Sequence, residues 1–373
     1  MSLSRIITLH QPARVEIGAG SVGRVGDWAQ EVGRVLVVST PHGAAFADRL
    51  RLRGKITVFD AIHGEPDTAA LDAALAAARA VRPELVVGLG GGSAMDVAKL
   101  VAAMWDGGQS LADVAGPNRV AGRNTRLAQV PTTAGTGSET GIRALISEPG
   151  QGNKIAVESP HLGADLAVLD PELTFTVPPA ITAATGVDAM AHCVEAFTNR
   201  NAHPMIDGFA RMGVGLVGRY LARAVADGAD TEAREGMMLA SFYGGICLGP
   251  VNTAAGHALA YPLGTLLHLP HGLANALIFP HVLAWNAPAV PEKTAEVIAA
   301  LGLTAQAQDA GVLAAARGFC AALGIDMRLS AHGAQPAQLP RFAADAHAIR
   351  RLMDNNPRDL SVQQVEALYR DAL

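Results

Sequence analysis

The chain is poor in aromatic residues and in cysteine, and it carries no large excess of either charge. Phe, Trp and Tyr make up 4% of its 373 residues while hydrophobic residues reach 50%, so the core must be built from Ala, Val, Leu and Ile. That mixture suits Ala-rich helices packed on aliphatic strands and disfavours an all-β sandwich. Cys193, Cys247 and Cys320 are odd in number and widely spaced, with no Cys-x-x-Cys, which argues against a disulfide framework or a thiolate zinc site and fits a reducing cytoplasm. With 34 acids against 29 bases the net charge is −5, and no basic run is interleaved with aromatics. Neither nucleic acid nor an anionic membrane is an expected partner. The opening Met1-Ser2-Leu3-Ser4-Arg5 lacks the apolar core of a secretion signal and leads into a strand-like Ile6-Ile7-Thr8-Leu9.

Charge is also missing locally. Between Glu235 and Glu292 there is no Asp, Glu, Lys or Arg, yet the interval holds His257, His268, His271 and His281. Gly249-Pro250, Asn252, Pro262, Pro270 and Pro280 interrupt it, so no clean run of about 20 apolar residues exists, as a membrane-spanning helix needs. A buried soluble core around a polar site is the better reading.

What is present is alternation. Val35–Val38, Ile56–Phe59, Leu85–Gly88 and Leu166–Leu169 read as buried strands, and Ala69–Val81 and Ala94–Met104 as helices. This order predicts an α/β domain with a parallel sheet of the nucleotide-binding type. Past Asp170-Pro171 and Pro178-Pro179 the strand signals give way to long Ala/Leu-rich helical patterns. A boundary is therefore expected near 178, with residues 1–178 forming the α/β domain and 179–373 an all-helical one.

Leu85–Lys99 reads as a strand, a Gly90-Gly91-Gly92-Ser93 turn and a helix. Backbone amides at such a helix start, unobstructed at the glycines, can bind a pyrophosphate; the alternative is a plain tight turn. The Gly-Lys-Ser/Thr ending of a nucleotide-hydrolase loop is absent, which favours a dinucleotide over ATP. Gly18-Ala19-Gly20-Ser21-Val22-Gly23 also fits G-x-G-x-x-G, but Ser39-Thr40-Pro41 stands where a ribose-binding acid is wanted, so it reads as a turn without phosphate. A second dense loop, Pro131–Glu139, offers Thr132, Thr133 and Thr136 to phosphates or a carboxamide, or merely caps a helix. Asp188 and His192 are spaced i and i+4, hence on one helical face, and His257 and His271 follow in the charge-free stretch. Three imidazoles and a carboxylate can chelate a divalent metal and leave a position open, whereas any single one of these histidines could equally be a hydrogen-bonded core residue.

Taken together, the Gly90–Ser93 turn with Asp96 and Lys99, the Pro-Thr-Thr-Ala-Gly-Thr-Gly-Ser-Glu loop, Asp188-x-x-x-His192, His257 with His271 fourteen positions on, and the closing Asn356-Pro357-Arg358 resemble the iron-containing alcohol dehydrogenase family. The resemblance implies the dehydroquinate synthase-like fold: an α/β domain holding NAD or NADP, an all-α metal-binding domain and a catalytic cleft between them. It implies Asp188, His192, His257 and His271 as ligands of Fe²⁺, with Zn²⁺ or another divalent ion as the alternative. Gly91, Gly92 and Ser93 would hold the pyrophosphate, and Asp96, Thr132, Thr133 and Thr136 would line the rest of the cofactor site, with Lys154 as a further candidate. It also implies a small alcohol, aldehyde or ketone substrate, and a homodimer.

Two departures from the family pattern stand out. Many members have a proton-relaying His four residues after the third ligand; here the position is Tyr261, a candidate for moving the proton or a packing residue. NAD-preferring members often end the second strand with Asp, and here the position is Thr40, which removes repulsion against a 2′-phosphate and opens NADP use. The Ser39-Thr40-Pro41 ending and Asn286–Ala289 are similar to maleylacetate reductases, and Arg143 offers a cation to a carboxylate, so reduction of an unsaturated oxo-acid is the second enzymatic reading. A metal- and nucleotide-binding protein without turnover is the reading from another class.

Overall fold

The computed structural model describes residues 5–148, 153–305 and 309–373; most of the opening segment, residues 1–4, lies outside the described residues. The chain divides into two compact units, residues 9–176 and residues 177–373, the described residues 5–8 grouping with the latter.

The first unit carries strands β1 (Val15–Ile17), β2 (Arg34–Ser39), β3 (Lys55–Phe59), β4 (Leu85–Gly90), β5 (Gly116–Pro117), β6 (Arg126–Pro131), β7 (Arg143–Glu148), β8 (Asn153–Glu158) and β9 (Leu166–Leu169). Its helices are α1 (Arg24–Trp28), α2 (Pro41–Ala44), α3 (Thr68–Val81), α4 (Gly92–Met104) and α5 (Leu111–Val114). Six strands form a parallel sheet in the order β1-β9-β6-β4-β2-β3. Its inner strands are largely apolar because both faces are covered. Leu36 and Val38 of β2 pack with Val86, Leu71 and Val97 in one cluster; Val35 and Val37 pack with Val22, Val25 and Leu50 in the other. Each such fully buried side chain contributes roughly 1.5–3 kcal/mol relative to exposure.

Two features depart from the sequence expectation. Ile6–Leu9 form no strand, and Ile6 is 93% exposed; their apolar run has no neighbouring strand to pair with and no face to bury. Conversely, β7 and β8 pair antiparallel, Arg143 opposite Glu158, and join β5 in a separate three-stranded sheet. Their short apolar centres are framed by charged ends, which hides them from a search for aliphatic runs.

The second unit is helical: α6 (Pro179–Thr198), α7 (Pro204–Ala226), α8 (Thr231–Leu248), α9 (Ala255–Leu267), α10 (His271–Asn286), α11 (Pro291–Ala300), α12 (Asp309–Ala322), α13 (Leu339–Ala348), α14 (Arg350–Met353) and α15 (Val362–Ala372). Helix α6 is buried on nearly all sides by α7, α8 and α10, and its residues are apolar nearly all round, as a central helix requires. The few polar side chains it carries inward, Thr182, Asp188, His192, Glu195 and Thr198, therefore need internal partners. Among the described residues no helix is long and apolar enough to cross a membrane. All three cysteines are buried free thiols.

Helix α4 lies so close to β4 that a Cβ on Gly88 would stand 2.3 Å from Gln129 Oε1 and 2.9 Å from the Ala98 Cβ. Gly88→Ala is expected to destabilise the α/β unit by about 1–3 kcal/mol through overpacking, seen as a lower thermal midpoint in calorimetry.

Candidate dinucleotide and metal sites

In the α/β unit the carboxyl ends of β2, β4 and β6 lie side by side, where open parallel sheets bind ligands. Strand β4 runs into the N-terminus of α4, whose cap residue Gly91 offers no side chain to the first helical amides. Thr132 N–H donates to Gly90 O at 2.9 Å, which ties the threonine loop to the glycine turn. A Cβ on Gly92 would stand 2.8 Å from Thr136 Cγ2, and one on Gly91 would be 3.2 Å from Thr133 Oγ1. Only glycine leaves the helix start open beneath those hydroxyls, and the α4 dipole favours an anion there. The turn fits a pyrophosphate.

Thr40, at the end of β2, caps α2 by accepting Gly43 N–H at 3.1 Å. Asp96 is engaged at both oxygens: Oδ1 accepts from Ser138 Oγ at 2.6 Å and from Lys99 Nζ at 3.3 Å, and Oδ2 from Leu145 N–H at 2.9 Å. Lys99 is buried, donates also to Ser138 Oγ and Arg143 O, and burial lowers its pKa. Lys154 pairs with Glu65 at 2.8 Å on the small sheet. Arg143 pairs with Glu158 at 2.6 Å, so the cation offered to a substrate carboxylate is already matched. The other glycine-rich turn is filled from within: Gly20 N–H and Val22 N–H donate to the two oxygens of Asp170, at 3.1 and 3.0 Å. The protein's own carboxylate stands where a phosphate would bind.

In the helical unit, Asp188 Oδ1 lies 3.5 Å from His257 Nε2, 3.7 Å from His271 Nε2 and 3.8 Å from His192 Nε2. Donor atoms of Asp188, His192 and His257 all lie within 4.8 Å of one another. A tetrahedron with arms of about 2.1 Å has edges of about 3.4 Å, so the Asp188, His192 and His257 donors fit a divalent ion, with His271 approaching the same carboxylate oxygen from outside that close group. The rings of His192 and His257 stack with centroids 4.7 Å apart. Burial opposes ionisation of Asp188, yet the imidazoles of His192, His271 and His257 hold its carboxyl well below the usual carboxylate range. Burial likewise opposes charge on His257, but Glu195 and Asp188 lift its pKa to about 10. The pocket demands positive charge opposite its carboxylates.

Two residues of this site escaped the sequence reading. Glu195 accepts from His257 Nδ1 and also from the backbone N–H groups of Ala254 and His257, at 3.1 and 3.3 Å. That bond keeps a proton on Nδ1 and turns Nε2 toward Asp188, where a bound cation would replace the Nε2 proton. Asn275 Nδ2 donates to Asp188 Oδ1 at 2.6 Å and lies 3.2 Å from Nε2 of both His257 and His271. Both positions carried a signal: Glu195 falls at i+7 from Asp188 and Asn275 at i+4 from His271, on the ligand-bearing faces of their helices. Tyr261, one helical turn after His257 on α9, has its ring 5.9 Å from that of His271.

Residues 12–171 match the family model described as iron-containing alcohol dehydrogenase, and residues 182–373 match its C-terminal counterpart. The long-chain-alcohol dehydrogenase 1 of Geobacillus thermodenitrificans is 34% identical over all of this chain and 97% of its own. Among solved structures, a 1,3-propanediol oxidoreductase superposes with a TM-score of 0.93 at 28% identity, covering 99% of this chain and all of that one. A sulfoacetaldehyde reductase from Bifidobacterium kashiwanohense, solved with NAD⁺, gives 0.88 at 27% identity over 99% of both chains. The chain belongs to the iron-containing alcohol dehydrogenase family. Its chemistry is the family's metal-dependent, NAD-linked oxidoreduction of alcohols and aldehydes.

In the loop of the dinucleotide unit one buried carboxyl group is only partly offset by the nearby Lys99 charge. Glu139 is buried, neither carboxyl oxygen has a hydrogen-bond partner among the described residues, and burial raises its pKa to about 7. An ordinary glutamate titrates near 4.5, so between pH 4.5 and 7 the unfolded chain has lost this proton while the folded chain keeps it. Stability must fall across that window as pH rises. Glu139→Gln is expected to leave the unfolding free energy nearly unchanged at pH 4.5 and to raise it at pH 8, by at most about 3 kcal/mol, measured by denaturation at both pH values.

Proposed function

We propose that Asp188, His192, His257 and His271 hold one divalent cation, Fe²⁺ in the native protein, and that the Gly91-Gly92-Ser93 turn holds the pyrophosphate of NAD or NADP. The observation that carries this reading is the approach of three imidazole Nε2 atoms to within 3.8 Å of a single buried Asp188 oxygen. When bound, the cation supplies Lewis acidity to the substrate oxygen and the nicotinamide gives or takes the hydride. The rest of the work falls to the chain. Asp188 neutralises charge, and Glu195 orients His257 and raises its basicity. Asn275 restrains Asp188. Thr132, Thr133 and Thr136 line the dinucleotide, Asp96 holds their loop to α4, and Lys154 is the outer cofactor contact. Tyr261 carries the proton of the alcohol at its phenol oxygen, or passes it to water. The substrate is a small alcohol, aldehyde or ketone. A homodimer in the cytoplasm belongs to the same proposal.

Thr40 in place of an acid supports use of NADP as well as NAD, since no carboxylate at that position repels a 2′-phosphate. Thr40→Asp should shift the NAD/NADP ratio of kcat/KM toward NAD; an unchanged ratio would show that the adenosine ribose is read elsewhere. For the metal, His257→Ala and His271→Ala should each lower bound metal at least tenfold and abolish turnover while dinucleotide binding, followed by nicotinamide fluorescence, persists. Elemental analysis of the freshly purified protein, with an alcohol and carbonyl panel under both cofactors, tests the reading as a whole. Full metal retention in both alanine variants would remove it.

A further inference from the structure

Against Tyr261, whose ring neighbours that of His271, stands a cation that nothing above uses. Arg351, on α14, donates from Nη2 to the Tyr261 phenol oxygen at 3.3 Å, and its guanidinium carbon is 5.6 Å from the centre of that ring. The Tyr261 ring is in turn 5.9 Å from the His271 imidazole. Among the described residues Arg351 has no carboxylate partner, whereas its neighbour Arg350 pairs with Asp354, and Arg341 pairs with Asp345 at 3.6 Å. Helices α9 and α10 contribute no Asp, Glu, Lys or Arg to this region, so nothing on them matches the charge.

The closing motif holds this arginine in place. Asn355 Nδ2 donates to Thr253 O at 2.9 Å and to Arg351 O at 3.1 Å. Asn356 and Asn286 exchange side-chain hydrogen bonds at 2.7 and 3.0 Å, and Arg358 donates to Trp285 O at 2.9 Å. The segment bearing Arg351 is therefore bracketed to α10 and to the approach to α9. Its guanidinium is exposed, and Nη2 is its one hydrogen-bonding nitrogen among the described residues, which leaves further N–H donors in fork geometry for an oxyanion.

We propose that Arg351 sets substrate choice: it receives the carboxylate or sulfonate of a short-chain aldehyde, or of the matching hydroxy acid, whose reacting oxygen lies at the Asp188–His271 donor set. The proposal rests on the oxidoreductase reading above and names its substrate class. In the reductive direction a hydride from the dihydronicotinamide adds to the aldehyde carbon and a proton to its oxygen. The aldehyde is reduced to the alcohol, the dihydronicotinamide is oxidised, and the distant anion is unchanged. Arg351 takes no part in the bond changes and acts on binding.

The test pairs chain-matched substrates on the metal-loaded protein: succinic semialdehyde against butanal, with sulfoacetaldehyde as a second anionic arm that separates sulfonate from carboxylate preference. Wild type should favour an anionic aldehyde. Arg351→Gln should cut kcat/KM for it roughly 10- to 100-fold, mainly through KM, with a much smaller loss on butanal, confined to kcat, from the broken Tyr261 contact, and with Arg351→Lys partly restoring the preference. Calorimetric binding of 4-hydroxybutyrate, compared with butan-1-ol, should be lost in Arg351→Gln. A wild type that prefers butanal, or an equal loss on charged and neutral substrates, overturns the proposal. Turnover of none of these aldehydes with either cofactor would instead strike the oxidoreductase reading, and calorimetry would still decide the role of Arg351.

Discussion

A carboxylate buried to 2% exposure inside an almost wholly apolar helix organises the helical unit of this protein. Such a group is tolerated only where positive charge or hydrogen-bond donors surround it. Three imidazoles and the Asn275 amide converge on Asp188 from α6, α9 and α10. The consequences spread outward. Helix α9 must present His257 with Nε2 inward, which needs Glu195 on its other nitrogen, and Glu195 in turn accepts the amides that begin α9. The asparagine and arginine contacts of the closing motif then bracket the chain's last third to the same helices.

The dinucleotide unit solves a different problem with backbone rather than side chains. Glycines keep the start of α4 open under the threonine hydroxyls, while the buried Lys99–Asp96–Ser138 group fixes the loop that carries them. The contrast with the first glycine-rich turn is instructive. Both turns follow a strand and expose amides, but Asp170 occupies one with an internal carboxylate. The local pattern is the same, and the difference lies in what a strand 150 residues away delivers to it.

How far the sequence reading reached follows from the range of the interactions involved. The inner strands β2 and β4 were visible because burial on both faces demands unbroken aliphatic runs such as Val35–Val38 and Leu85–Val87, whereas Ile56–Phe59, expected to be buried, forms the edge strand β3 with Ile56 and Val58 exposed. The small sheet was not, since Arg143–Glu148 and Asn153–Glu158 mix charged and apolar residues, and the apolar run at Ile6–Leu9 misled because a strand needs a partner as well as a pattern. Asp188 and His192 share one helix, so their spacing announced them. Glu195 and Asn275 lay on the same faces, yet their chemical types have too many ordinary uses for spacing alone to assign them.

Residue order alone determined the α/β-then-helical plan, the glycine turn and the Asp188-x-x-x-His192 pair, because each of these is written in local periodicity or short-range spacing, whereas His257 and His271 joined that pair through the family resemblance. Tertiary structure alone decided which glycine turn stays open, that Arg143 is taken by Glu158, and that Arg351 meets Tyr261 with no carboxylate partner among the described residues. Those outcomes depend on whether an opposite charge arrives from elsewhere in the chain. Electrostatic pairing acts through space over a few ångströms, and separation along the polypeptide carries no record of it.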